Sequence, residues 1–177
     1  MAHTPNTLIC LQFNLQHSRP ATYNLTQLVT ELKTDIALLQ EPNLFNNKPT
    51  GFPSKHRLFF PGKGKCRSAI LVLNRIIDAL LIHQLSDEDT TVLEIKHGKT
   101  SVIVASLYFD IKRNIEIDLF KLTKIIQFAK GRGLIIGVYT NARSRLWYDT
   151  ITNIRGRILE EFIIGNKLFI MNEDIPT

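Results

Sequence analysis

Ile36-Ala37-Leu38-Leu39-Gln40-Glu41-Pro42 runs from unbroken apolar side chains into an amide, a carboxylate and a proline. A run this short and this apolar suits a strand covered on both faces. Pro42 stops it, because proline has no N–H to give to a ladder. Upstream, Leu8 to Leu15 reads as another strand and ends in Asn14-Leu15-Gln16-His17. Between the two lies Ala21 to Lys33, with Leu25, Leu28, Val29 and Leu32 at helical spacing. Strand, helix, strand in that order predicts a parallel pair joined by a right-handed crossover.

Downstream the pattern changes. Asn43 to Ser54 is rich in Asn, Pro and Gly and reads as a surface loop. Arg57–Phe60, Ser68–Asn74, Ala79–Leu85, Thr91–Lys96 and Ser101–Phe109 then follow as strand candidates with no helix between them, which predicts an antiparallel meander. Ile115 to Lys130 is a second amphipathic helix, with Gly131 and Gly133 as its stop signal. Leu134 to Val138 is a further apolar strand, Arg155 to Ile164 a third helix, and Leu168 to Met171 a last strand. No repeat or linker interrupts the 177 residues, so the expectation is one domain over 1–177.

The bulk composition narrows the partners. Twenty-two basic residues stand against 16 acidic ones, a net charge of +6 that favours a polyanionic partner. No apolar run approaches the length of a membrane span and the first residues carry no signal-peptide pattern, so a cytoplasmic or nuclear location is expected. Cys10 and Cys66 lack metal-ligand spacing, and the five histidines are scattered.

Polar residues gather where buried strands end: Asn14, Glu41, Tyr108, and Tyr139 with Asn141. In open α/β sheets, ligands bind beyond the carboxyl ends of the strands, so these side chains are candidates for one cleft. Glu41 is either the oxygen ligand of a hard divalent cation or a capping or salt-bridged carboxylate. Lys63, Lys65 and Arg67 form a basic tip that fails the stricter phosphate-loop pattern; it either touches a phosphate backbone or simply solubilises the turn. Trp147 with Tyr148, beside Arg143 and Arg145, fits a base-stacking platform with phosphate anchors, or equally a tryptophan of the core or its rim.

The same residues carry a family resemblance. Leu11-Gln12-Phe13-Asn14-Leu15-Gln16-His17, Ala37-Leu38-Leu39-Gln40-Glu41-Pro42 and Ser106-Leu107-Tyr108-Phe109-Asp110 are three of its motifs. Asn141-Ala142-Arg143-Ser144 with Leu146-Trp147, Thr152-Asn153-Ile154-Arg155-Gly156 and Leu159-Glu160-Glu161-Phe162 continue it, and Asn172-Glu173 with Pro176-Thr177 close it. Taken in this order, the chain resembles the endonuclease domain of non-LTR (LINE-type) retrotransposons, in the endonuclease/exonuclease/phosphatase superfamily.

That resemblance implies a DNase I-like α/β fold: a four-layer αββα sandwich of two mixed, largely antiparallel sheets flanked by helices. It implies DNA as substrate, magnesium (or manganese) as the cofactor, and no small-molecule cofactor. It makes Glu41 the metal-binding glutamate, Asn14 the asparagine beside that metal, Tyr108 the tyrosine near the scissile phosphate, and Asn141 the asparagine that steadies the phosphoryl group.

Two departures from the family follow. Tyr139 stands where the family has the aspartate that takes a proton from the attacking water, and phenols in general keep their proton at neutral pH. The family also continues past Pro-Thr into closing strands that bear a Ser-x-Ile-Asp motif and an Asp-His pair. The expectation is therefore an incomplete domain lacking the closing C-terminal strands, with weakened metal binding and impaired catalysis. The alternatives are a non-catalytic nucleic-acid-binding remnant and an inert fragment of a mobile element.

Overall fold

The computed structural model describes residues 7–62, 64–97 and 100–172. They belong to two compact units, Met1–Tyr108 with Lys124–Tyr139, and Phe109–Thr123 with Thr140–Thr177.

The first unit opens with β1 (Cys10–Asn14), α1 (Arg19–Glu31) and β2 (Ile36–Gln40). Ser18 caps α1, its Oγ accepting from the Ala21 amide, and Pro20 sits in the first turn, where its missing N–H costs nothing. β1 and β2 pair in parallel, as the crossover pattern predicts. A short hairpin of β3 (Leu44–Phe45) and β4 (Lys48–Pro49) lies within the polar loop. β5 (Arg57–Phe59) and β6 (Ser68–Val72) then complete a four-stranded mixed sheet ordered β1-β2-β6-β5.

The meander expected from the sequence is split between two sheets. β7 (Asp78–Leu81), β8 (Thr90–His97) and β9 (Thr100–Tyr108) pair antiparallel in a second sheet, and β10 (Gly133–Tyr139) joins β9 in parallel. Alternating polarity specifies a pleated surface but not which neighbour a strand takes, and the chain changes sheets between β6 and β7. The Ala79–Leu85 candidate is also shorter than expected: β7 ends at Leu81, and His83–Leu85 closes as a 3-10 turn.

Side-chain parity builds the layers of this unit. Ala37, Leu39, Ala69 and Leu71 point to one face of the first sheet and pack with Leu25 and Val29 of α1. Ile36, Leu38, Ile70 and Val72 point to the other face and meet Leu93, Ile95 and Val104 of the second sheet. Each buried leucine, isoleucine or valine among them contributes about 1.5–3 kcal/mol. Gly137 allows the sheets to approach here, because a Cβ at that position would lie 2.6 Å from Leu38 Cδ1 and 3.3 Å from Gln12 Cγ.

α2 (Ile115–Ala129) links β9 to β10, and the boundary between the two units falls within it. In the second unit, α3 (Ile154–Gly165) is capped by Asn153, whose Oδ1 accepts from the Gly156 amide at 2.7 Å. Gly156 is required there, since a Cβ would stand 1.9 Å from the Arg143 carbonyl oxygen. The strand expected over Leu168 to Met171 does not form. Those residues join no ladder among the described residues, and Phe169 and Met171 are 90% and 87% exposed. Apolar composition alone does not make a strand where no hydrogen-bonding neighbour lies alongside.

Candidate active site

In the first unit the sheet-to-sheet interface turns polar toward the carboxyl ends of its strands. After Ile36 and Leu38, the next side chain on that face is Gln40, which is fully buried. Its amide donates to Ser106 Oγ at 2.9 Å and to the Gly137 carbonyl at 3.3 Å. Ser106 Oγ donates to the Leu39 carbonyl, Ser68 Oγ to the Ser106 carbonyl, and Thr91 Oγ1 to the Ser68 carbonyl. Gln12 bridges the Gln40 side chain and the Val138 carbonyl at 3.2 and 3.1 Å. Amides and hydroxyls satisfied this fully fix the register of one sheet against the other.

Beyond that network Glu41 leaves β2 with φ at 47°, a left-handed backbone that a non-glycine residue adopts only where its surroundings impose it. Its amide donates to the Arg67 carbonyl at 2.9 Å. Glu41 Oε2 accepts from Asn14 Nδ2 at 3.1 Å, while Asn14 Oδ1 accepts from the Gln16 amide at 2.9 Å. The carboxylate therefore has one oxygen held by Asn14, and both ends of the Asn14 amide are engaged. His17 flanks the other oxygen, with Nε2 at 3.8 Å from Glu41 Oε1.

The ends of β9 and β10 carry the tyrosines. Tyr108 and Tyr139 are register partners, and their rings stack with centroids 6.1 Å apart and planes 8° apart. The Arg67 guanidinium lies 5.2 Å from the Tyr108 ring centre, a cation–π distance, and its Nε is 2.5 Å from the buried Asp89 carboxylate. One residue thus ties the two strand ends together: the Arg67 carbonyl holds Glu41 and the Arg67 side chain lies over Tyr108. Tyr139 is 37% exposed, so the phenol stands at the solvent edge of the stack.

Asn141 belongs to the second unit, where it too has a left-handed backbone, at φ 50°. Its Nδ2 donates to the Phe109 carbonyl at 2.8 Å. Arg155 braces the preceding residue: its guanidinium donates to the carbonyls of Thr140, Asp110 and Arg113 and approaches Asp118 at 3.6 Å. Burial pushes the Asp118 carboxyl above its ordinary range, while hydrogen bonding to and the charge of Arg113 oppose the shift.

The basic candidates fare differently. Lys65 is exposed, and Lys63 lies outside the described residues. Arg143 is engaged, its Nε and Nη2 gripping the Asp149 carboxylate at 2.9–3.1 Å and holding that carboxyl down to about 2. Arg145 is exposed, and its Nε reaches the Thr150 carbonyl at 3.5 Å. Trp147 is half-buried and donates its indole N–H to the Ala142 carbonyl at 3.2 Å, which is the bracing expected of a rim residue.

The endonuclease domain of TRAS1, a telomere-specific non-LTR retrotransposon, has the same arrangement of strands and helices, with a TM-score of 0.85 and 28% identity over 97% of this chain and 76% of its own. The chain has the DNase I-like fold and resembles the retrotransposon endonucleases. An AP endonuclease from Archaeoglobus fulgidus gives a TM-score of 0.55 at 20% identity, covering 90% of this chain and 70% of its own. An endonuclease/exonuclease/phosphatase family protein from Leptotrichia buccalis C-1013-b gives 0.57 at 15%, covering 92% and 76%. Neither a family model nor a curated protein matches the chain by sequence.

Two features of this DNase I-like chain emerge only from the fold. His17 is one of five histidines scattered along the sequence, and only the fold brings it to Glu41. Gln12, Gln40 and Ser106 lie in three separate strand runs, and only the fold joins them in one network. The signal for it was an amide at position 40 inside an otherwise apolar run. Among the described residues no group of three or more His, Cys, Asp or Glu side chains could hold a metal, and no helix is long and apolar enough to cross a membrane.

Proposed function

We propose that this chain is a DNA-directed phosphodiesterase domain of the retrotransposon-endonuclease type in which hydrolysis is slowed because a phenol stands in place of the proton acceptor. The observation that carries this reading is Tyr139, stacked on Tyr108 at the ends of β9 and β10, with Arg67 joining that stack to the Asn14–Glu41 pair at the ends of β1 and β2. The net charge of +6 and the endonuclease likeness support DNA as the partner.

The donor set fits a hard divalent cation of the magnesium or manganese kind. Such ions are commonly held by one or two carboxylates, with water and substrate phosphate filling the remaining positions. Glu41 would be the carboxylate and Asn14 would hold it in place. When bound, the ion supplies charge neutralisation at the phosphate oxygens. Tyr108 would position the phosphate, while Arg67 keeps the Tyr108 ring in place. The proton of the attacking water then needs an acceptor. Tyr139 places no carboxylate there, and loss of a positioned base typically slows a reaction on the order of a hundred- to ten-thousand-fold.

The test is a plasmid-nicking assay with magnesium or manganese on the parent chain, Tyr139→Asp and Tyr139→Asp/Glu41→Ala. Tyr139→Asp should nick faster by about a hundredfold or more, and Glu41→Ala should remove that gain. If Tyr139→Asp nicks no faster than the parent while DNA binding persists and weakens steeply with salt, the chain is a nucleic-acid-binding remnant instead.

A further inference from the structure

We infer that His17 is a second ligand of the Glu41 cation site and biases it toward manganese or zinc over magnesium. This rests on the metal-site reading of Glu41 and goes beyond it. His17 Nδ1 lies 2.9 Å from the Pro42 carbonyl oxygen, which can only accept, so Nδ1 carries the hydrogen. In the neutral ring that leaves a lone pair on Nε2. This nitrogen faces Glu41 Oε1 at 3.8 Å, beyond hydrogen-bond range. Two electron-pair donors thus face each other with room between them for a cation.

The backbone holds them in that arrangement. Gln16 and His17 both adopt left-handed conformations, at φ 48° and 55°. The His17 amide donates to the Glu41 carbonyl at 2.7 Å, and the Leu15 amide to the Gln40 carbonyl at 2.8 Å. The imidazole is therefore anchored twice, by main chain and by ring, to the segment that carries the carboxylate. A histidine whose far nitrogen donates to a backbone carbonyl has the second-sphere support typical of metal ligands.

Asn14 occupies Glu41 Oε2 and leaves Oε1 toward His17. Ligand bonds of about 2.0–2.2 Å put two donors of one ion roughly 3–3.5 Å apart, so the pair needs to close by less than about 1 Å. Imidazole suits zinc and other transition ions, whereas magnesium is bound mainly by oxygen, so the nitrogen changes which ion is preferred.

The experiment uses the full chain with manganese, zinc or magnesium chloride alone, read by calorimetric titration, by metal-induced thermal stabilisation, and by pulsed electron paramagnetic resonance of bound manganese. The parent should bind manganese more tightly than magnesium and show nitrogen modulation in the manganese spectrum. His17→Gln should lose the modulation and weaken manganese by about 10-fold or more with magnesium unchanged. Glu41→Gln should lose both ions. Manganese bound through Glu41 with no nitrogen modulation, or a manganese-to-magnesium ratio unchanged in His17→Gln, overturns the role of His17 alone. Binding that Glu41→Gln leaves intact, or no binding by the parent, overturns both His17 and the Glu41 site. The spectrum of the parent decides the matter even if the His17 variant fails to fold.

Discussion

The strand end at Glu41 and the strand end at Tyr139 rest on the same buried amide network, yet they have different surroundings. At Glu41 every neighbour serves a carboxylate: Asn14 holds one oxygen, His17 flanks the other, and a left-handed backbone turns the side chain out of the sheet. At Tyr139 the neighbours serve an aromatic ring, with Tyr108 parallel to it and Arg67 over Tyr108. The lesson is that two strand ends on one buried network can be finished differently, one around a carboxylate and the other around a stacked pair of rings.

The sharpest way to break this contrast is to exchange its two halves. Tyr139→Asp should raise nicking by about a hundred- to ten-thousand-fold, whereas Tyr139→Phe should leave the rate of the parent unchanged, because its hydroxyl has no step in the proposed reaction. A loss of activity in Tyr139→Phe would mean that the hydroxyl itself does the chemistry.

Next in size is Asn14→Ala, which frees Glu41 Oε2. Metal affinity should fall by about 10–100-fold, read by titration, with folding intact. Unchanged affinity would remove Asn14 from the site.

Gly137→Ala tests the platform beneath both ends. The new Cβ meets Leu38, so urea unfolding should show a loss of about 1–3 kcal/mol. A neutral result would mean that the sheets have slack at this crossing.

The smallest effect lies in the loop after β10. Hydrogen bonding to Arg143 and the Arg143 charge hold the Asp149 carboxyl at about 2 instead of the ordinary 3.8. A depressed folded value means the pair stabilises fully above the ordinary value and that this contribution disappears as pH falls through about 2. A carbon-detected titration of Asp149 should show that midpoint, and Arg143→Gln should return it toward the ordinary carboxylate range.

Much of this arrangement was legible in the chain itself. The apolar run to Gln40 and the crossover through α1 specified a parallel pair, and the polar residues at the ends of β1 and β2 pointed to the contact between Asn14 and Glu41. The division of the meander was not legible, because alternation fixes which face a side chain takes and says nothing about which strand lies alongside. His17 was hidden for a related reason: it is 24 positions from Glu41 in sequence, and only a strained two-residue turn after β1 brings it back. Arg67 reads as part of a basic tip that touches a phosphate backbone or solubilises the turn, whereas the fold turns it inward to Asp89 and Tyr108. Leu168 to Met171 shows the converse, apolar residues that never join a sheet.

Gln40 bonds at once to a side chain on β9 and to the main chain of β10. Sliding either layer by one residue would strand several polar atoms away from water, so the scaffold enforces its own alignment whatever stands at its rim. Residue 139 lies outside that lock, so its identity can drift in evolution while the architecture persists unaltered.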